Sequence, residues 1–215
     1  TISDAALLGL SGIDLRVSGT VKLNKSTLAS GQRINWSLAT NATNDPANLI
    51  PALTLTSAQE LQVNGTAAID LFGFVVGSGD FQLDSQTVDV DQNGNGVFSL
   101  AEKDLQDATL FRIGLSNLNL FVGVGASLGP TGIPLTANAI GFSITSGSLG
   151  VAIVKANPEM TAGDNRTYIA TTASVGQAAF VGLPSDISIK AADISIDINR
   201  ASGNVPLATP VRVAT

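Results

Sequence analysis

Ile13-Asp-Leu-Arg-Val-Ser-Gly-Thr-Val-Lys-Leu23 sets the reading of the whole chain. Apolar and polar residues alternate along it, with Gly19 near the middle. Period-two alternation carried by β-branched residues marks a strand with one dry and one wet face. The pattern recurs as Leu61-Gln-Val-Asn-Gly-Thr-Ala-Ala-Ile-Asp-Leu71, as Phe142-Ser-Ile-Thr-Ser-Gly-Ser-Leu-Gly-Val-Ala-Ile153 and as Ile187-Ser-Ile-Lys-Ala-Ala-Asp-Ile-Ser-Ile-Asp-Ile198. Weaker copies lie over Leu110–Val124 and Tyr168–Leu183, and Gln82–Val90 alternates as well. Helical periodicity is confined to a short segment, roughly Ser99–Ala108, and a second over Asp4–Leu10. Many short half-buried strands define an all-β chain. One recurring motif with a small central residue favours a β-solenoid-like stack of short strands. The uneven spacing of Gly19, Gly65, Asn117, Gly147 and Asp193 then requires loop insertions, and an antiparallel β-sandwich is the alternative.

Composition narrows the chemistry. The chain has 215 residues, enough for one domain over 1–215 with a substantial core. Apolar residues make up 44% and charged residues 13%, which excludes a disordered segment. A net charge of −6 and the absence of a basic cluster argue against nucleic acid and membrane surfaces. Cysteine and histidine are both absent, which removes thiol redox chemistry, the usual zinc sites and a Ser-His-Asp triad. The start at Thr1 is read as the mark of a segment cut from a longer precursor. No charge falls between Arg112 and Lys155, yet Gly, Pro, Asn and Ser interrupt that run and its apolar residues alternate, so strands are expected there and not a membrane helix.

Chemical meaning concentrates in Asp91-Gln-Asn-Gly-Asn-Gly-Val-Phe-Ser-Leu-Ala-Glu102. These twelve residues fit the calcium loop of an EF-hand. Asp91, Asn93 and Asn95 occupy positions one, three and five, and Gly96 holds the sharp turn at six. Val97 offers a carbonyl at seven, Phe98 is the apolar anchor at eight, Ser99 stands at nine and Glu102 closes at twelve. Calcium is a hard cation that takes about six to eight oxygens, and a tight loop delivers alternate side chains to one point. The surrounding carboxylates, Asp80, Asp84, Asp89, Asp104 and Asp107, are interrupted only by Lys103 and repel one another unless compensated. Gln82–Val90 enters this loop as a strand, so a paired, sensor-type hand is not expected and the ion should be structural.

A longer echo joins the two ends of the chain. Leu8-Gly-Leu-Ser-Gly-Ile, leading into Val21-Lys-Leu-Asn24, resembles Val181-Gly-Leu-Pro-Ser-Asp, leading into Ile196-Asp-Ile-Asn199. Asn24 and Asn199 lie 175 residues apart, Gly9 and Gly182 173 apart. About one full unit plus the start of the next is the expected organisation. With the calcium loop set in Gly/Ser/Thr/Asn-rich strand sequence, the chain resembles the tandem repeats of very large secreted bacterial surface and adhesin-type proteins. That resemblance implies an extracellular or cell-surface, calcium-stiffened, non-catalytic scaffold of a surface, biofilm-matrix or adhesin protein, with neighbouring repeats as partners and end-to-end self-association.

Other readings are weaker. Carboxylate pairs such as Asp89/Asp91 or Asp104/Asp107 can be drawn as the acid and base of a β-helix glycosidase, but their place beside the loop favours ligation or solvation. Trp36, in Ile34-Asn-Trp-Ser-Leu38, reads as a packed strand residue before a sugar platform. The alternative function is an adhesin module recognising carbohydrate or a surface through loops such as Thr40–Pro51 or Asn157–Thr167. Glu159 and Asp164 in the latter stand as candidates for a second cation.

Overall fold

A computed structural model describes residues 2–6, 12–28 and 32–205. Its strands are β1 (Ile2–Ala6), β2 (Ile13–Leu23), β3 (Gln59–Leu71), β4 (Val75–Val90), β5 (Leu105–Val124), β6 (Ser127–Leu128), β7 (Pro134–Leu135), β8 (Ile140–Lys155), β9 (Thr167–Val181) and β10 (Ile189–Ser202). A four-residue helix, α1, spans Trp36–Ala39, and a single 3-10 turn spans Leu100–Glu102. Eight strands form one antiparallel sheet in the order β1-β2-β3-β4-β5-β8-β9-β10, and β6 and β7 pair separately. Consecutive strands are spatial neighbours, so the sheet is an up-and-down meander.

The all-β class is that of the sequence reading, and β2 has the bounds read from its alternation. The solenoid-like stack is not the arrangement seen. Neighbouring copies of the motif run antiparallel, and among the described residues neither a coil of parallel strands nor a second large sheet facing the first forms. Period-two alternation specifies a strand's two faces and leaves its neighbour's direction open; short connections such as Phe72–Phe74 between β3 and β4 settle that direction. Both expected helices also change. Ser99–Ala108 yields only the 3-10 turn, because Leu105 already pairs with Val90 as β5 begins. Residues Asp4–Ala6 belong to β1, where Ala5 and Ala6 pair with Val17 and Arg16, and the rest of that expected helix lies outside the described residues. Trp36 opens α1 instead of lying in a strand. Asn35 caps that turn by accepting from Leu38 N at 3.3 Å, while Trp36 Nε1 donates to Asn24 Oδ1 at 3.3 Å.

Register assigns every strand residue to a face. One face carries Val21, Val63, Leu83, Ile113, Val151 and Ile198 in a single row across six strands, with Thr171 the polar member on β9. The parallel row Leu23–Leu61–Ser85–Phe111–Ile153–Ile169 continues it. No described element covers these side chains well: Val21, Leu23, Phe142, Ile196 and Ile198 are all exposed. The opposite face is polar in its middle, where Ser18 meets Thr66, Asp84 meets Arg112 and Ser148 meets Ser174. Its two ends are roofed. At one end the 125–139 connection places Ala126 and Ala139 on Val76 and Phe121. At the other, Val88, Leu105, Ala108, Ala156 and Tyr168 make a second small core beside the 91–104 loop.

The small residues that mark each motif copy form a transverse crease. Gly19 pairs with Gly65, and Gly79 lies opposite Asn117 and Leu118 where β5 bulges. Asn117, Ser146 and Asp193 have φ of 52°, 57° and 54°, the left-handed region, and successive strands carry them or Gly176 along one line. A bulge adds twist and exchanges the faces of the residues beyond it. On β5 the apolar face therefore passes from odd-numbered Ile113 and Leu115 to even-numbered Leu120 and Val122. Strands of up to 20 residues bend together at this line and stay in register.

Candidate functional site

The Asp91–Glu102 loop is the tip of the β4–β5 hairpin. Asp91 Oδ1 and Oδ2 each accept at 2.8 Å, from Gly94 N and Gly96 N. Asn93 Oδ1 accepts from Asn95 N at 2.9 Å, and Asn95 Oδ1 from Val97 N at 2.7 Å. Gly94 and Gly96 sit at φ 69° and 80°, as the sharp turn at the loop's sixth position requires. Glu102 folds back over the loop, and its Oε2 receives Asn93 Nδ2 at 3.2 Å and Asn95 Nδ2 at 3.0 Å. Three of the six expected ligand residues, Asn93, Asn95 and Glu102, are thus drawn together, and Asp91 closes the same turn through its two backbone donors. Val97 contributes its backbone to the turn and is exposed, and Ser99 accepts from Glu102 N at 3.0 Å through its carbonyl. Phe98 is not buried as an anchor; it is 42% exposed, because no incoming helix exists for it to pack against.

The donor set fits a hard cation in kind: two carboxylates with amide, hydroxyl and carbonyl oxygens. It is lightly charged. Among the described residues no three Asp, Glu, His or Cys side chains gather around one point. A cation held here would replace the two amide contacts to Glu102.

The neighbouring carboxylates are compensated by the protein itself. Asp80 accepts from Asn117 Nδ2 at 2.6 Å, Asp84 from Arg112 at 2.9 Å, and Asp89 from Asp107 N at 2.9 Å. The sequence reading treated Asp104 as part of an acidic cluster, whereas it is 2% exposed and staples the loop. Its two oxygens accept from Gln92 N at 2.8 Å and Ser99 N at 2.7 Å, joining the loop's second and ninth positions.

Arg166 is the second residue that the sequence reading missed. It is 7% exposed and pairs with Asp164 at 2.7 Å. Its Nη1 donates to Gln92 Oε1 at 2.9 Å and to the Lys103 carbonyl at 2.7 Å, so it ties the β8–β9 loop to both ends of the 91–102 loop. Gln92 Nε2 also donates to the Tyr168 hydroxyl. The side-chain hydrogen bond from Arg166 holds the Asp164 carboxyl below the usual range, against the opposing effect of burial, and Asp164 raises the Arg166 guanidinium in return. Of the two candidates for a second cation, Asp164 has both oxygens engaged by Arg166 and Glu159 is exposed. A signal was available: Asp14 and Arg16 have the same two-residue spacing and pair at 2.6 Å.

The polar face between the two roofs is a trough of about 550 Å³. Gln82, Asp84, Arg112, Thr172, Asp197 and Asn199 line it, over a floor of small residues that includes Gly114 and Gly150.

No protein-family model matches the chain. Searches of curated proteins and of solved structures likewise return no match. No helix among the described residues is long and apolar enough to cross a membrane.

Proposed function

We propose that the chain is a non-catalytic, calcium-stabilised structural repeat of an extracellular bacterial surface, matrix or adhesin-type protein, joined end to end with its neighbours. The observation that carries this reading is a glycine-hinged hairpin tip in which Glu102 meets Asn93 and Asn95 while Asp91 accepts from the Gly94 and Gly96 backbone. The tip is locked from below by Asp104 and from the side by Arg166, so an ion bound there braces β4, β5 and the β8–β9 loop together. The role is mechanical. A ligand that binds the folded state stabilises it by RT ln(1 + [L]/Kd), about 2.7 kcal/mol at a hundredfold excess over Kd.

Thermal melts with calcium and with excess chelator test this. Chelation is expected to lower the melting temperature, and Asp91→Ala or Glu102→Ala to abolish the calcium response while leaving the chelated curve nearly unchanged. Superimposable curves with and without chelator would refute the reading.

The trough favours a second reading, an adhesin module that binds carbohydrate through the few polar side chains set in its largely apolar lining. Saturable binding on a glycan array, lost in Gln82→Ala, is its expected signature. Absence of binding across the array removes it.

A further inference from the structure

The two edges of the sheet are the same hairpin twice. Thr1-Ile-Ser-Asp-Ala-Ala-Leu-Leu-Gly-Leu10 aligns with Ser174-Val-Gly-Gln-Ala-Ala-Phe-Val-Gly-Leu183 without a gap, keeping both alanines, the glycine and every large apolar position. Strand pairing gives the same alignment independently. Ala5 faces Val17 and Ala6 faces Arg16 at one edge; Ala178 faces Ala191 and Ala179 faces Lys190 at the other. Beyond the crease Ile2 faces Gly19, and Val175 faces Ile194. The drift of the echo from 173 to 175 has two steps: Leu183 and Ile187 stand one residue farther apart than Leu10 and Ile13, and Asp193, at φ 54°, is an extra residue that β10 carries between the counterparts of Val17 and Gly19. With that residue set aside, Val21 and Leu23 correspond to Ile196 and Ile198 on the same apolar face.

β10 is therefore the β2 of a second unit, and it lacks what β2 has. β2 pairs on its far side with β3 through eleven registered residues, Ile13 with Leu71 to Leu23 with Leu61. Among the described residues β10 pairs with β9 alone, and all fourteen of its own residues are exposed. Asn24, the counterpart of Asn199, anchors the chain that leads to β3: its Nδ2 donates to the Ile34 and Thr56 carbonyls, and its backbone N to the Glu60 carbonyl. An exposed edge that is long, apolar on one face and unprotected by proline is a template for another strand.

We infer that the free edge of β10 seats the β3-equivalent strand of a following copy of this unit, so that successive copies share one continuous sheet and are not separate beads. This rests on the tandem-array part of the proposed function and is independent of its calcium part. The pairing repeats that of β2 with β3, with Ile198 opposite the second copy's Leu61 and Ile196 opposite its Val63.

The test is a two-copy chain, residues 1–199 followed directly by residues 25–215, compared with the 215-residue chain by amide hydrogen exchange. Amides of residues 189–199 that face outward are expected to exchange at least tenfold more slowly in the two-copy chain. Exchange in β3–β5 of the first copy, unchanged between the two chains, shows that both are folded. A second measurement uses Ser195→Cys with Asn64→Cys in the second copy, positions that correspond to the facing pair Thr20 and Asn64. A disulfide is expected under mild oxidation. Unaltered exchange at β10 together with unlinked cysteines would overturn the inference, as would β10 protection already present in the 215-residue chain through edge-to-edge dimers. Melting the two-copy chain with calcium and with chelator separates the two readings: superimposable curves with β10 protection intact sink only the calcium part.

Discussion

Arg166→Ala lowers the melting temperature by roughly 6–20 °C. The guanidinium is buried and serves four partners, the Asp164 carboxylate, Gln92 Oε1, the Lys103 carbonyl and, at 3.5 Å, the Tyr168 hydroxyl. Removing one member of a buried ion pair leaves the other uncompensated and typically costs about 3–5 kcal/mol. For a chain of this size each kcal/mol corresponds to about 2–4 °C. Asp164→Ala combined with Arg166→Ala should recover part of the loss, because the stranded carboxylate is then gone; a cycle of the four proteins measures the coupling. Acid should act in the same direction as theory requires. Asp164 titrates below its unfolded value, so the pair's contribution is complete above about pH 4 and fades as pH falls through the folded value. The gap in melting temperature between the parent and Arg166→Ala should accordingly shrink on acidification. A variant that melts within a degree or two of the parent at neutral pH would show that the tether carries no stability. The same variant should bind calcium more weakly, since Gln92 and Lys103 bracket the loop.

Gly65→Ala is expected to destabilise by about 2–3 kcal/mol, or roughly 4–12 °C. A methyl group on Gly65 would lie 2.8 Å from Gly19 Cα and closer still to the Ser18 carbonyl oxygen, both backbone atoms that cannot swing aside. The strands would have to part at the crease. Elsewhere in a strand the exchange of glycine for alanine is mildly favourable, by about 0.5–1 kcal/mol, through the unfolded chain's entropy. Gly114→Ala is the control: its nearest neighbour, Gln82 Cβ, stands at an ordinary 3.9 Å, and this variant should melt at or slightly above the parent temperature. If the two alanine variants behave alike, the crease is not a close-packed line.

Alternation made β2 legible to the residue, and it located the bodies of β3, β5, β8 and β9. The markers Gly19, Gly65, Asn117, Gly147 and Asp193 were visible as punctuation, but their alignment across neighbouring strands was not. In sequence they are unevenly spaced because the connections differ, from three residues between β3 and β4 to the long passage through α1 between β2 and β3. Only antiparallel pairing brings them onto one line. The tight turn at 91–102 was legible because its glycines and Asx residues stand where positive φ and side-chain-to-backbone hydrogen bonds are needed. Asp104 and Arg166 were not, since their partners lie on the far side of a turn or in another loop.

Residue order by itself determined the two-faced strands, the places where they break, the glycine-hinged oxygen-rich turn and the echo between the two ends of the chain. Those properties depend on side-chain polarity and local backbone freedom, which a short window contains. Tertiary structure alone decided that the strands run as one meander, that Leu105 pairs as a strand and does not continue a helix, that Arg166 reaches Gln92 and Lys103, and that no described strand covers the outer edge of β10. Each of these turns on which groups find hydrogen-bonding partners across the sheet, and a buried carboxylate or an unpaired strand edge is settled only when every competing partner has been placed.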